Sequence, residues 1–236
     1  MRHAFLPIVL LALALPAGAQ ESCEPESIHE PRAVEAALAR CEAVARLTTS
    51  EATRYAALCR GAAYAFRLAE PEGDRSSELA KRGVELARQA RELRPYRVEG
   101  HYQYALCLGI YIRENQVTSF GKVDDLIAAA NKAVECDERY DRGGPHRLLA
   151  LLYAEAPRLV GPGDRDLARK HLARLLAVAG DDEENKLTAV RVHREIGDDD
   201  GARALLRTVD PDHVPEGPTR QELRAEKQKL QKELDN

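Results

Sequence analysis

The sequence has few of the residues that usually build sheets or large aromatic cores. Its 236 residues include no tryptophan, only three phenylalanines and a single methionine. The abundant residues are alanine, leucine, arginine and glutamate, which favour helices. We therefore expect an all-α fold. The chain also lacks an excess of basic residues, with 35 Lys and Arg against 39 Asp and Glu, so we expect no nucleic-acid partner.

Motifs typical of catalysis and cofactor binding are missing as well. The sequence contains no G-x-S-x-G, no glycine-rich phosphate loop and no H-E-x-x-H. Seven histidines are scattered along the chain. His171 and His193 could approach each other across consecutive helices, with Glu184 or Glu195 beside them, but the spacing of a metal site is not present. We predict a protein that is not an enzyme and that needs neither a metal nor a cofactor.

The N-terminus has the pattern of an export signal. A basic start precedes an apolar run over residues 4–15, and Ala-Gly-Ala at residues 17–19 forms a small-residue cleavage site. The run is shorter than the roughly 20 residues that span a bilayer. We expect cleavage near Ala19 and a periplasmic or secreted protein with no membrane span, whose residues 20–30 form a flexible segment. The alternative is a retained N-terminal anchor.

Apolar residues recur at helical spacing throughout residues 31–210. The best-defined stretch covers residues 140–180, where a loop, a buried helix, a second loop and an amphipathic helix follow one another. Residues 98–112 are ambiguous because their apolar side chains alternate as in a strand. No second strand-like run could pair with them, so we predict a buried helix. Its Tyr104 and Tyr111 belong either to the core or to a ligand groove.

Two short segments reveal an internal repeat. Residues 163–169, GDRDLAR, match residues 197–203, GDDDGAR, at five positions and lie 34 residues before them. A helix-turn-helix unit of 34 residues is the tetratricopeptide signature, although the hallmark tryptophan is absent here. We predict stacked antiparallel helical hairpins, that is, degenerate tetratricopeptide-like repeats, over residues 31–210. Residues 211–236 should form a charged capping helix, or alternatively a partner-binding or coiled-coil segment.

All five cysteines follow the signal sequence. Export permits disulfides, and an odd count leaves at least one thiol outside any intramolecular pair. Cys41 and Cys59 lie at similar distances from the turn between the first two predicted helices. We therefore predict a Cys41–Cys59 disulfide across this hairpin. The alternative is that both are small buried residues that never bond.

The strongest candidate for a binding site is the run Gly143, Gly144, Pro145, His146 and Arg147. Proline is favoured in the first turn of a helix, whose N-terminus offers unpaired backbone N–H groups. A positive arginine and a titratable histidine lie beside these donors, which together suit a carboxylate or another anion. In the alternative interpretation the glycines only form a turn and the proline only begins a helix.

The run over residues 140–157, YDRGGPHRLLALLYAEAP, is followed by G-x-G-D and by ARKHLARLL. This stretch resembles the T-component family of tripartite ATP-independent periplasmic (TRAP) transporters. The resemblance implies tetratricopeptide-like hairpins and a role beside the periplasmic solute receptor of the transporter. We therefore expect an exported, non-catalytic binding protein whose concave face holds that receptor, another protein or a small ligand. Its oligomeric state is left open.

Two other functions remain open at this point. One is a general scaffold that assembles exported proteins in the envelope without a transport role. The other is an enzyme with a noncanonical site around His146 and Tyr153. Tyr153 is also a candidate contact residue of the binding protein.

Overall fold

The computed structural model describes residues 23–25, 27–71, 73–116, 119, 121–159 and 163–235. The predicted signal peptide lies outside these residues. No strand occurs in the described part of the chain, and the all-α prediction is confirmed. The α-helices are α1 Pro31–Leu47, α2 Glu51–Ala69, α3 Ser76–Leu93, α4 Val98–Glu114, α5 Val123–Asp137, α6 Tyr140–Leu159, α7 Arg165–Ala179, α8 Glu183–Glu195, α9 Asp199–Leu206 and α10 Pro218–Asp235.

Several helices begin at a side chain that caps free backbone N–H groups. Ser50 accepts a hydrogen bond from the backbone of α2, and Asp164 accepts two from the backbone of α7. Asp182 and Asp198 cap α8 and α9 in the same way. Such caps stabilise a helix by about 1 kcal/mol each. They also fix the residue at which each helix begins.

The helices divide into two compact units, Met1–Asp137 and Glu138–Asn236. The boundary falls inside the predicted repeat domain. In the first unit, α1 to α5 pack one against the next, and α2 also packs against α4. In the second unit, α6 packs against α7 and α8 packs against α9, while α6 also contacts α8. Contacts between consecutive helices and between alternate helices are the pattern expected of stacked hairpins.

Small residues bring α2, α3 and α4 close together. A Cβ atom on Gly83 would lie 2.4 Å from Sγ of Cys107, and one on Gly100 would lie 2.8 Å from the backbone nitrogen of Arg91. The ambiguous segment 98–112 is helical, as we expected. It lies in α4, which packs against α2, α3 and α5. Nearly every side of this helix is therefore covered, which explains why its apolar residues show no single stripe.

The charged C-terminal segment folds as α10 and packs on α8 and α9. Its leucines Leu223, Leu230 and Leu234 are buried in one cluster with apolar residues of those two helices. Arg191 of α8 also forms an ion pair with Glu226 of α10, 2.5 Å apart. This helix therefore covers the apolar face that the last hairpin would otherwise expose.

The predicted Cys41–Cys59 disulfide is not formed, because the two cysteines face different neighbours. Cys41 lies opposite Gly61, where a Cβ atom would come within 3.4 Å of the Cys41 Cβ. Two residues turn a helix by about 200°, so Cys59 points to the other side of α2. There it forms a hydrogen bond with Tyr55. The similar distances of Cys41 and Cys59 from the turn predict that they lie at the same level along the hairpin. They do not predict that the two side chains face each other, because that depends on the rotation of each helix.

Candidate functional site

The helix that carries the predicted binding cluster begins with a left-handed turn. Asp141, Arg142 and Gly143 have φ angles of 48°, 53° and 82°. Each non-glycine residue in this conformation costs about 1 to 2 kcal/mol. The turn is held from α8, where the side-chain amide of Asn185 donates a hydrogen bond to the carbonyl of Arg142 over 2.9 Å. The sequence predicts a turn before Pro145, but not a left-handed one that includes two non-glycine residues.

The predicted anion-binding cluster lies in the interior of the second unit. All five residues from Gly143 to Arg147 are buried, and the side chain of Arg147 has no exposed surface. Its guanidinium donates to the carboxylate of Asp141 over 2.7 Å and to the side-chain oxygen of Asn185 over 2.8 Å. The anion that this arginine meets in the structure is therefore a carboxylate of the same chain.

Arg142 extends this polar network to the first turn of α8. Its guanidinium lies 2.5 Å from the carboxylate of Asp182 and 3.1 Å from that of Glu184. Burial raises the pKa of Glu184, although Arg147 and Arg142 act in the opposite direction. Asp182 and Glu184 were missed as network members because they lie about 40 residues away in sequence.

His146 and His171 form a second cluster, between α6 and α7. Their Nδ1 atoms are 3.0 Å apart, and Nε2 of His146 lies 3.3 Å from the carboxylate of Glu138. Arg174 donates two hydrogen bonds to the same carboxylate. The ring of Tyr153 stacks on that of His171 with centroids 5.8 Å apart. The structure thus brings His146 and Tyr153 together, with His171 between them.

Charge and burial shift the pKa values of Glu138, His146 and His171. Burial lowers the pKa of both histidines, that of His171 to about 4. The two hydrogen bonds from Arg174 are the main reason that the pKa of Glu138 falls to about 2. At neutral pH the cluster therefore holds an ionised carboxylate paired with arginine, next to two neutral imidazoles. No group of three or more His, Cys, Asp or Glu among the described residues is arranged to hold a metal ion.

Tyr104 and Tyr111 belong to the first unit, whereas the other predicted binding residues belong to the second. Tyr104 is buried, with the guanidinium of Arg91 3.6 Å from its ring centroid and its hydroxyl donating to Asp125 over 2.5 Å. Tyr111 is half-buried, and the Lys122 ammonium lies 5.9 Å from its ring centroid. Tyr153 is half-buried as well. Of the eight predicted contact residues, only Tyr111 and Tyr153 keep substantial exposed surface.

The model of the TRAP transporter T-component family matches residues 34–220 of the chain. The chain belongs to this family. The match extends well beyond the stretch over residues 140–180 on which the resemblance rests, and it covers parts of both compact units. No curated protein sequence matches the chain. None of the described helices is long and apolar enough to cross a bilayer.

A solved structure shows the same fold. It is the crystal structure of TTC0263, a thermophilic TPR protein of Thermus thermophilus, and it matches with a TM-score of 0.64. The alignment covers 84% of this chain and 91% of that one, at 19% sequence identity. At this identity the likeness concerns the fold alone. It confirms the tetratricopeptide-like architecture predicted from the 34-residue repeat.

Proposed function

We propose that this chain is an exported, non-catalytic accessory of a TRAP transporter and that it binds the periplasmic solute receptor of that transporter. The family match over residues 34–220 carries the proposal. The tetratricopeptide-like fold supports it, because stacked hairpins offer extended surfaces on which proteins are commonly bound. The export pattern over residues 1–19 also supports it, since a solute receptor of this kind works outside the cytoplasm.

Tyr111 and Tyr153 are the contact residues we propose for the receptor. Both are half-buried, so part of each side chain is exposed to a partner. Tyr153 stacks on His171, which limits the orientations of its ring. Tyrosines of this kind often supply much of the binding energy at protein interfaces, because they add large contact area with little loss of entropy.

The experiment is a titration of the mature protein with a purified TRAP solute receptor from the same organism, followed by calorimetry. We expect a complex, and we expect Tyr111→Ala and Tyr153→Ala each to weaken it about tenfold or more. Tyr96→Ala is the matched control, because Tyr96 is 86% exposed in the turn after α3 but is not a predicted contact residue. Circular dichroism of each variant checks that the fold is kept.

The outcomes separate the alternatives. A receptor that never binds, while unrelated envelope proteins are captured, would favour a general scaffold. If binding occurs but both tyrosine variants bind as tightly as the Tyr96→Ala control, the function stands and the proposed contact residues are wrong. A chemical turnover that is lost on replacing His146 would instead favour the enzyme hypothesis.

A further inference from the structure

The chain segment that precedes α1 lies against α1 and α2. The carboxylate of Glu24 is 3.0 Å from the guanidinium of Arg60, which is buried in α2. The hydroxyl of Tyr64 donates to the same carboxylate over 3.3 Å. Further along, Arg67 donates to the backbone carbonyl of Ile28 over 2.9 Å. The described part of the segment predicted to be flexible is therefore held by polar contacts to one helix hairpin.

Cys23 begins the described part of this segment and packs against α1. Both Cys23 and Cys41 are 1% exposed, and they share one buried cluster with Ala57 of α2. The thiol of Cys41 also forms a hydrogen bond with that of Cys23. Two cysteines that already share a buried cluster need only a small movement to bring their sulfur atoms to the length of a disulfide, about 2.05 Å.

The other three cysteines have different surroundings. Cys59 forms a hydrogen bond with Tyr55 on the opposite side of α2. The thiol of Cys107 donates to the carbonyl of Ala62 over 3.4 Å. Cys136 is only half-buried, on α5. Geometry thus favours Cys23, rather than Cys59, as the partner of Cys41.

We propose that Cys23 and Cys41 form a disulfide in the exported protein, which clasps the N-terminal segment covalently to α1. The inference rests on the proposed export, since reducing compartments keep such thiols reduced. The bond would close a loop formed by the residues between Cys23 and Cys41. It would also keep Glu24, the neighbour of Cys23, next to the buried guanidinium of Arg60.

The bond forms by exchange with a protein that carries an oxidising disulfide. One cysteine thiolate attacks that disulfide and forms a mixed disulfide, and the second thiolate then displaces the oxidant from it. The two cysteines are oxidised, and the oxidant leaves as a dithiol that has taken up their two electrons and two protons. Because both cysteines are buried in the folded chain, we expect this exchange to occur before folding is complete.

Peptide mapping tests the pairing directly, since trypsin places each of the five cysteines in a different peptide. The full chain, exported to the periplasm, is alkylated and digested without reduction. We expect the Cys23 peptide, which ends at Arg32, to be joined to residues 41–46. Residues 41–46 joined to residues 55–60, which contain Cys59, would overturn the proposal, as would alkylated thiols at both Cys23 and Cys41.

Thermal unfolding gives a second measurement. In the exported protein we expect Cys23→Ser to lower Tm by about 5 to 10 °C, and dithiothreitol to lower the Tm of the wild type by a similar amount. The reductant should then have no further effect on Cys23→Ser. Cys136→Ser is the matched control and should behave as the wild type. A wild-type Tm that does not respond to the reductant would count against the Cys23–Cys41 disulfide. Neither measurement involves the solute receptor, so failure here is distinct from failure of the proposed function.

Discussion

His146 of α6 and His171 of α7 face each other with their Nδ1 atoms 3.0 Å apart. A hydrogen bond between these atoms requires a proton on one of them and a lone pair on the other. The pair can therefore carry at most one positive charge while the bond exists. Because the contact joins two helices of one hairpin, the stability of that hairpin depends on pH.

We expect the second unit to lose stability as the pH falls from about 6.5 toward 4. Burial lowers the pKa of both histidines in the folded chain, that of His171 to about 4, whereas an unfolded chain has a value near 6.5. Between these values the unfolded chain binds more protons, so acid favours unfolding. After allowance for solvent screening, the loss for the pair should be about 1 to 2 kcal/mol. Denaturant unfolding followed by circular dichroism at a series of pH values measures it.

Other groups beside the pair also titrate, so the test needs variants. Glu138, Lys170, Arg174 and Tyr153 surround the two rings, and the pKa of Glu138 is lowered to about 2. His171→Phe keeps a ring beneath Tyr153 and should flatten the pH dependence between 6.5 and 4. Replacing the exposed His29 by glutamine should leave the curve unchanged. Equal slopes for the wild type and His171→Phe would show that the pair does not sense pH.

Gly143 and Gly197 offer a matched comparison, because their φ angles are nearly the same at +82° and +83°. A Cβ atom on Gly143 would lie 3.0 Å from Cδ1 of Leu175, whereas one on Gly197 would meet nothing within 4 Å. We expect Gly197→Ala to lower the free energy of unfolding by about 1 kcal/mol through backbone strain alone. Gly143→Ala should lower it by about 2 to 4 kcal/mol, since crowding is added. Urea titration of both variants measures the difference, and equal losses would rule out the steric contribution.

Arg147 should be far more sensitive to replacement than an arginine at the surface. Its side chain is fully buried against Asp141 and Asn185. Arg147→Met leaves the largely buried carboxylate of Asp141, 9% exposed, without its guanidinium, and breaking a buried pair in this way typically costs about 3 to 5 kcal/mol. Arg169→Ala is the control, because the Asp166 with which it pairs is fully solvated, and such pairs contribute less than about 1 kcal/mol. A stable Arg147→Met variant would mean that the buried network is replaceable by apolar packing.

The sequence was sufficient for the fold and for the family. Helical spacing, the matching segments at 163–169 and 197–203, and the resemblance over residues 140–157 each depend on residues close together in the chain. The helical assignment of the ambiguous segment 98–112 is also confirmed, because the chain offers no other strand-like run to pair with it. Periodicity and local motifs are therefore reliable where one helix or one hairpin decides the outcome.

Contacts between distant residues could not be predicted in this way. Which residue of α2 faces Cys41 depends on the rotation of α2 about its own axis. Two residues turn a helix by about 200°, so Gly61 faces Cys41 while Cys59 points to the other side of α2. Asp141 neutralises Arg147 only because a left-handed turn folds it back, and no sequence pattern required aspartate and arginine in that conformation. In the structure Arg147, the charged residue of the predicted anion-binding cluster, is paired with a carboxylate of the same chain.

Gln103 is buried in α4 with 0% of its surface exposed. Neither its side-chain oxygen nor its nitrogen has a hydrogen-bond partner among the described residues. Burying an amide without partners costs about 1 to 3 kcal/mol. Methionine has nearly the same length and shape but carries no such polar groups.

We therefore expect Gln103→Met to raise the free energy of unfolding by about 1 to 2 kcal/mol. Urea titration followed by circular dichroism measures the change. Gln89→Met is the control in the same unit, because Gln89 is exposed on α3 and its replacement should change stability by less than about 0.5 kcal/mol. If Gln103→Met instead destabilises the protein, the amide must gain hydrogen bonds in solution that offset its burial. A gain would identify Gln103 as a position where α4 keeps a polar group at the expense of stability.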